Sequence, residues 1–314
     1  MTRLRFPLRL GTRNSKLALC QAAILRDALL GANEVLRGDQ IEIVPMQSAG
    51  DWRPDQQEQN FAALGGTKGL FAKELEAALQ DERIDLAVHS AKDLETVLAP
   101  GLQLTAFLPR ADTRDAFVAY GVQRPQDLPP GAKVGTSSLR RAAQLLHLRP
   151  DLVISPLRGN VDTRLRKLQD GQVDATLLAC CGLQRLNITG DHIHPLPEDV
   201  MLPAVAQGAL AVETRSSDTA LNHLLQAINC QQTQTCVTYE RLFLHHLNGS
   251  CRTPVAGLAT PRVEGGHNFA ALVAMPNGQK LQRRDLVLSA ATATEQIAAL
   301  AAEWRSVLPP ELLT

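Results

Sequence analysis

No sign of charge predominates in this 314-residue chain, in which 32 lysines and arginines balance 32 aspartates and glutamates. No global field therefore draws it to nucleic acid or to an anionic membrane, and any basic site has to be local. No apolar run approaches membrane-spanning length. The opening residues, Met1-Thr2-Arg3-Leu4-Arg5-Phe6-Pro7-Leu8-Arg9, are broken by charge too often to hold a signal-peptide core. These absences predict a soluble, cytoplasmic protein with neither nucleic acid nor membrane as a partner. Six cysteines are present, but none forms a Cys-x-x-Cys pair and Cys180 and Cys181 are adjacent. Neither a disulfide framework nor a zinc ribbon is expected. His192-Ile193-His194 and His245-His246 lack converging carboxylate or cysteine ligands, so no metal site is expected either. There is no internal repeat and no low-complexity tract.

What is present is enough chain for two or three compact domains, 45% hydrophobic and 20% charged. Strand-like Leu8-Arg9-Leu10, a helix near Lys16 to Leu30, strand-like Ile41-Glu42-Ile43-Val44, a helix near Ala72 to Gln80 and strand-like Ile84 to Val88 alternate as βαβ units do, which predicts a mainly parallel sheet. The alternation restarts after Asp115 with Ala116 to Tyr120, Val134, a helix near Ser138 to His147, Leu152 to Ile154, a helix near Val161 to Leu168 and Ala175 to Leu178. Pro195 to Pro203 reads as a crossover, with Ala209 to Glu213 returning as a strand to the first lobe. Two such crossovers make a hinge. From about Cys230 the pattern becomes one long helix, three strand-like runs and a final helix near Ala293 to Val307, a small α+β domain. The expected fold is therefore α/β: a first lobe from residues 1–110 and 205–228, a second from 111–204, and a C-terminal domain from 229–314.

Strand-like Ile84 to Val88 places His89-Ser90-Ala91-Lys92-Asp93 at a strand's carboxyl end, where open α/β sheets bind their ligands. Asp93 is the catalytic candidate there, with Lys92 beside it favouring the ionised form. A turn aspartate is the alternative. Gly135-Thr136-Ser137-Ser138 leads from a strand into a helix, and Ser137 or Ser138 can cap it. Arg140 and Arg141 sit in the first turn, where the macrodipole disfavours cations. Hydroxyls, free backbone N–H groups and two guanidinium groups make a carboxylate or phosphate receptor, the alternative being a solvated basic patch. Arg158-Gly159-Asn160 with Arg164 repeats the arrangement, Arg166 and Lys167 reading as solvated, and Arg13 in Gly11-Thr12-Arg13-Asn14-Ser15 occupies the equivalent junction of the first lobe. The expected ligand carries several negative charges and lies across the hinge. Cys251, in Asn248-Gly249-Ser250-Cys251-Arg252-Thr253-Pro254, ends the long helix in a small-residue loop where Arg252 favours a thiolate.

Val88-His89-Ser90-Ala91-Lys92-Asp93, Gly135-Thr136-Ser137-Ser138-Leu139-Arg140-Arg141, Leu157-Arg158-Gly159-Asn160 and Gly249-Ser250-Cys251 occur together in the order found in porphobilinogen deaminases (hydroxymethylbilane synthases), and the chain resembles that family from about Leu8 to Gly257. Lys68 to Glu76, Arg114 to Phe117 and Pro203 to Ala209 add to the match. The resemblance implies two periplasmic-binding-protein-like α/β lobes on a hinge plus the smaller C-terminal domain. It implies a transferase of tetrapyrrole and haem synthesis that condenses four porphobilinogen molecules head to tail on a covalent dipyrromethane cofactor, releases ammonia, and frees hydroxymethylbilane by hydrolysis. Cys251 would carry the cofactor by a thioether, and Asp93 would assist ammonia loss and stabilise cationic pyrroles. Lys92, Ser90, Thr136, Ser138, Arg140, Arg141, Arg158, Gly159, Arg164 and Gln207 would hold the cofactor. Arg13, Ser15, Phe71, Arg158 and Arg185 would hold the substrate, whose acetate and propionate explain local arginines in a neutral protein. A monomer is expected.

The chain departs from the family's pattern at Lys16, Thr67, Ala206, Asn248 and Ser250, and at Leu94-Glu95, which puts an extra carboxylate two residues from Asp93. A rival reading is a non-catalytic two-lobed polycarboxylate-binding protein, since fold does not decide function. No helix-turn-helix segment supports a regulator, and the cysteine loop has no place in simple binding. A thiol-dependent hydrolase lacks a base for Cys251.

Overall fold

The computed structural model describes residues 4–33, 36–46, 68–249 and 253–306, the side chains of 68–71 excepted. The chain divides into two compact units, one from Met1–Arg110 and Ala209–Thr235, the other from Ala111–Gly208 and Cys236–Thr314.

The first unit is built on β1 (Leu8–Arg13), β2 (Ile41–Met46), β3 (Leu86–Ser90) and β4 (Leu102–Phe107), joined by β10 (Leu210–Arg215) when the chain returns. Their order is β2-β1-β3-β10-β4. β1 runs parallel to β2 and β3, and β10 lies antiparallel between β3 and β4. Helix α1 (Lys16–Ala32) begins where Ser15 Oγ accepts from the Ala18 N–H at 3.2 Å. It buries Ala18, Ala22, Leu25 and Leu29 at helical spacing, and Leu25 and Leu29 join Leu8, Leu10, Leu86 and Val88 in one core. Helix α2 (Lys68–Gln80) packs Leu75, Ala78 and Leu79 with Ile84 and Ala87 in a second core. Consecutive β3 residues thus feed opposite cores, which is why this strand reads as an unbroken apolar run.

The second unit holds β5 (Asp115–Ala119), β6 (Lys133–Gly135), β7 (Val153–Ser155), β8 (Ala175–Ala179) and β9 (Ile193–Pro195) in the order β7-β6-β8-β5-β9. Here too, three parallel strands are followed by one antiparallel strand, β5, and a fifth beyond it. Helices α3 (Leu139–Leu148), α4 (Val161–Gln169) and α5 (Cys180–Arg185) follow β6, β7 and β8, while α6 (Thr219–Leu225) belongs to the first unit. After α7 (Gln231–His246) come the antiparallel strands β11 (Val255–Pro261), β12 (His267–Val273) and β13 (Gln282–Leu288), and then α8 (Ala293–Arg305). Phe243 meets Phe269 and Trp304 edge to face in the core of this small sheet, with centroids 5.5 and 5.7 Å apart.

The fold class expected from the sequence, two sheet-and-helix lobes and a small C-terminal sheet, is the one observed. The strands of the first sheet are parallel except β10. No described helix is long and apolar enough to cross a membrane.

Candidate active site

In the first unit, the expected residues gather at the carboxyl ends of β1 and β3. Arg13 closes β1, and Ser15 caps α1. Ser90 closes β3, and its Oγ accepts from Gln21 Nε2 at 2.9 Å, tying the strand end to α1. Ala91 to Asp93 form a single 3-10 turn that leaves Lys92 and Asp93 half-buried. The turn is pinned by the Ala91 N–H donating to Ala209 O at 3.0 Å. Asp93 therefore stands on a short rigid turn rather than in a long loop. Phe71 falls in α2, but its side chain lies outside what the structure describes.

In the second unit, Thr136 is buried, and its Oγ1 accepts from the Ser138 N–H at 3.1 Å. Ser138, rather than Ser137, caps α3, while the Ser137 hydroxyl donates to Leu157 O. Arg140 and Arg141 are not a solvated patch: they are 5% and 7% exposed. Both converge on Asp115, which is fully buried at the start of β5, with N–O distances of 2.7 and 2.6 Å. Arg140 Nη1 also donates to Leu202 O and Arg141 Nη1 to Leu177 O, at 2.7 and 2.9 Å. Burial on its own would raise the proton affinity of Asp115, but the two guanidinium charges and hydrogen bonds from Arg141 and Gln207 outweigh it and hold the carboxyl far below its usual range. Burial pushes Arg140 the other way, lowering its affinity for its proton, and the Asp115 charge opposes this.

Gln207 spans the same centre, with Nε2 donating to Thr113 O at 2.7 Å and to Asp115 Oδ1 at 3.0 Å. Next to it, Ala206 takes a left-handed φ of 62°, a conformation that explains why glycine suits this position. Asn160 caps α4 through the Thr163 N–H, and Gly159 has φ 111°. Arg164 Nε donates to Gly159 O at 2.8 Å, and Arg185 Nη2 to Gly208 O at 2.7 Å. Arg158 is half-buried and makes no hydrogen bond or ion pair among the described residues. Arg166 is exposed, as its position on α4 led us to expect, whereas Lys167 is half-buried.

Cys251, with Ser250 and Arg252, lies outside the described residues. The approach to it is defined. Helix α7 ends at His246, Asn248 just beyond it has a left-handed φ of 53°, and the Gly249 N–H bonds back to Leu244 O at 3.0 Å. The five other cysteines form no disulfide among the described residues, and burial raises the pKa of the Cys180 thiol to about 12.

A family model described as porphobilinogen deaminase, dipyromethane cofactor binding domain, matches residues 8–223, and one for the porphobilinogen deaminase C-terminal domain matches residues 234–303. The chain belongs to the porphobilinogen deaminase family. It is 46% identical over 272 residues to the chloroplastic porphobilinogen deaminase of Oryza sativa subsp. japonica, covering 86% of this chain and 75% of that one. The chloroplastic enzyme of Pisum sativum is 46% identical over 276 residues, covering 87% and 74%. Among solved structures, the methionine binding protein MetQ superposes with a TM-score of 0.43 at 13% identity over 74% of this chain and 94% of the other. A periplasmic substrate-binding protein of an ABC transporter from Coxiella burnetii gives 0.43 at 14% identity over 74% and 96%.

The donor set of the second unit fits the dipyrromethane of this family. Arg158 has no internal counter-ion among the described residues, and Arg140 Nε is buried without a hydrogen-bond partner. A Cβ at Gly159 would come within 2.7 Å of Thr163, so only glycine lets the backbone lie this close to the start of α4. Carboxylates of an acidic dipyrrole would use such donors. The sequence reading missed Asp115 as a site residue. Its signal was an acidic residue opening an otherwise apolar strand, in Arg114-Asp115-Ala116-Phe117.

Proposed function

We propose that the chain carries out the family's condensation of porphobilinogen through Asp93 and Cys251, with the arginines of the second unit holding carboxylates. The activity is that of a hydroxymethylbilane synthase, a transferase acting on small-molecule porphobilinogen in tetrapyrrole synthesis. When bound, the dipyrromethane supplies the pyrrole end to which four substrate units are added, and Cys251 would hold it as a thioether. Arg158, Arg164, Thr136, Ser138, Gly159, Gln207, Arg140 and Arg141, with Ser90 and Lys92 from the first unit, would anchor its acidic side chains. Arg13, Ser15, Phe71, Arg158 and Arg185 would bind the incoming ring.

The observation that carries this reading is the half-buried Arg158, which has no hydrogen bond or ion pair among the described residues, in the same unit in which Arg140 and Arg141 are already neutralised by Asp115. A cation kept half-buried without a counter-ion is costly unless an anionic ligand completes it. Asp93, on its pinned turn, would assist the departure of ammonia from the aminomethyl group and stabilise the positive charge left on the pyrrole. The rival reading, a binding protein without chemistry, does not account for the cofactor-binding domain that the chain matches. We further propose a monomer in the cytoplasm with no nucleic acid or membrane partner. The zero net charge supports the lack of nucleic acid and membrane partners, and the cysteines without a disulfide among the described residues support the compartment. The three-part division at residues 110, 204 and 228 is likewise our proposal for its domains.

Intact-mass measurement tests the assignment. Wild-type protein from cells that make porphobilinogen should be heavier than its sequence by one dipyrrole, Cys251→Ser should have the bare mass, and Asp93→Ala should keep the added mass without turnover. A bare wild-type mass, or a fully active Asp93→Ala, refutes it.

A further inference from the structure

Strand β10 is apolar and buried at Leu210, Ala211 and Val212, and then presents Glu213, which is 0% exposed. Neither carboxylate oxygen of Glu213 accepts a hydrogen bond from the described residues. Among the described residues its close polar contact is with His89, itself buried, whose Nε2 lies 2.9 Å from Glu213 Oε2. In the β3–β10 pairing His89 faces Ala211 and Glu213 faces Ala87, so both side chains share the face of the sheet that α2 covers. The register between β10 and β4 slips by one residue between Val212 and Glu213, leaving Thr105 as the extra residue. Such a bulge re-aims the side chains around it and is frequent beside active sites.

Helix α2 packs on β3, β10, β4 and the 3-10 turn of Ala91–Asp93. From α2, Glu76 adds a second carboxylate, and Glu95 a third at the rim. Burial raises the Glu76 carboxyl first, the charge of Glu213 raises it further, and His89 counteracts this. A buried carboxylate with so few partners destabilises a fold by several kcal/mol relative to an apolar residue. Its place in this strand calls for a reason other than stability.

We infer that Glu213 is a positioning residue for the condensation: through its contact with His89 it fixes the end of β3 and the turn from which Asp93 projects. The inference rests on the reading of Asp93 as catalytic. Three variants separate charge from shape. Glu213→Gln keeps the shape and removes the charge, Glu213→Asp keeps the charge and removes a methylene, and His89→Gln removes the ring that meets the carboxylate.

The expected result is that Glu213→Gln and His89→Gln retain the added dipyrrole mass, keep KM for porphobilinogen within about threefold and lose about tenfold or more in kcat, while Glu213→Asp stays within about threefold in both. A residue that only packs would give the reverse order, with Glu213→Asp the worse. If Glu213→Gln does not fold, His89→Gln decides alone. The inference is overturned if kcat of the charge-removing variants lies within about twofold of wild type, or if KM rises in step as kcat falls. Asp93→Ala is measured alongside. An active Asp93→Ala removes the catalytic reading itself, whereas an inactive one beside a normal Glu213→Gln removes only this inference.

Discussion

Asp115 shows how one buried carboxylate organises several cations. Arg140, Arg141 and Gln207 all reach it, and removing its charge would leave two guanidinium groups buried without compensation. Asp115→Asn is expected to destabilise the second unit by about 3–5 kcal/mol near neutral pH, measured by chemical denaturation. The pH dependence has a definite sign. The folded carboxyl lies below its ordinary value of 3.8, so its contribution is complete above that pH and is lost as the pH falls toward the folded value. The stability gap between wild type and Asp115→Asn should therefore hold constant from neutral pH down to about 5 and narrow below about 4. A gap that widens with acid would contradict the arrangement. This pairing was not legible in the sequence, because Arg141 and Asp115 are 26 positions apart and the sheet that sets β8 between β6 and β5 is a tertiary feature. The first-turn arginines were visible as a broken rule; their partner was not.

At the scale of elements, the alternation of apolar runs and helical patterns located most of the strands and helices, because buried parallel strands and one-sided helices leave strong periodic signals. β4 escaped that reading. Its sequence, Leu102-Gln103-Leu104-Thr105-Ala106-Phe107, loses alternation where the bulge at Thr105 shifts the pleat. β9 is only three residues long, too short to show a period. How the C-terminal sheet meets the second lobe was equally hidden, since it depends on a glycine. Gly278, in the turn between β12 and β13, has φ 79°, and a Cβ there would come within 2.4 Å of His147 N and 2.7 Å of Leu146 C on α3. His147 Nδ1 lies 3.1 Å from Gly278 O at the same point. Gly131 has a similar φ of 74° with open space around it. Both substitutions to alanine strain the backbone, but Gly278→Ala must also push two elements apart, and should cost about 1–3 kcal/mol more than Gly131→Ala in denaturant unfolding. Equal losses would mean that the close approach is absent in solution.

For the whole molecule, the division into two units with separate cores has a thermodynamic consequence. The first unit's core is built around Leu10, Leu25, Leu29 and Leu86, and the second unit's cores around Phe117, Leu145, Phe243 and Trp304. Each also has its own buried or half-buried ion-pair centre: Asp85 with Arg9 and Arg215 in one, Asp115 with Arg140 and Arg141 in the other. Chains of this construction depart from two-state unfolding when their units differ in stability. The sequence has two tryptophans, Trp52 and Trp304, and Trp304 is 1% exposed within the second unit. In a Trp52→Phe background, fluorescence then reports that unit alone, whereas far-ultraviolet circular dichroism reports both. The two signals should give non-coincident denaturant transitions. Asp115→Asn should move the fluorescence midpoint down, and Asp85→Asn should shift circular dichroism while leaving fluorescence nearly in place. Superimposable curves that move together in both variants would show instead that the units unfold as one cooperative body.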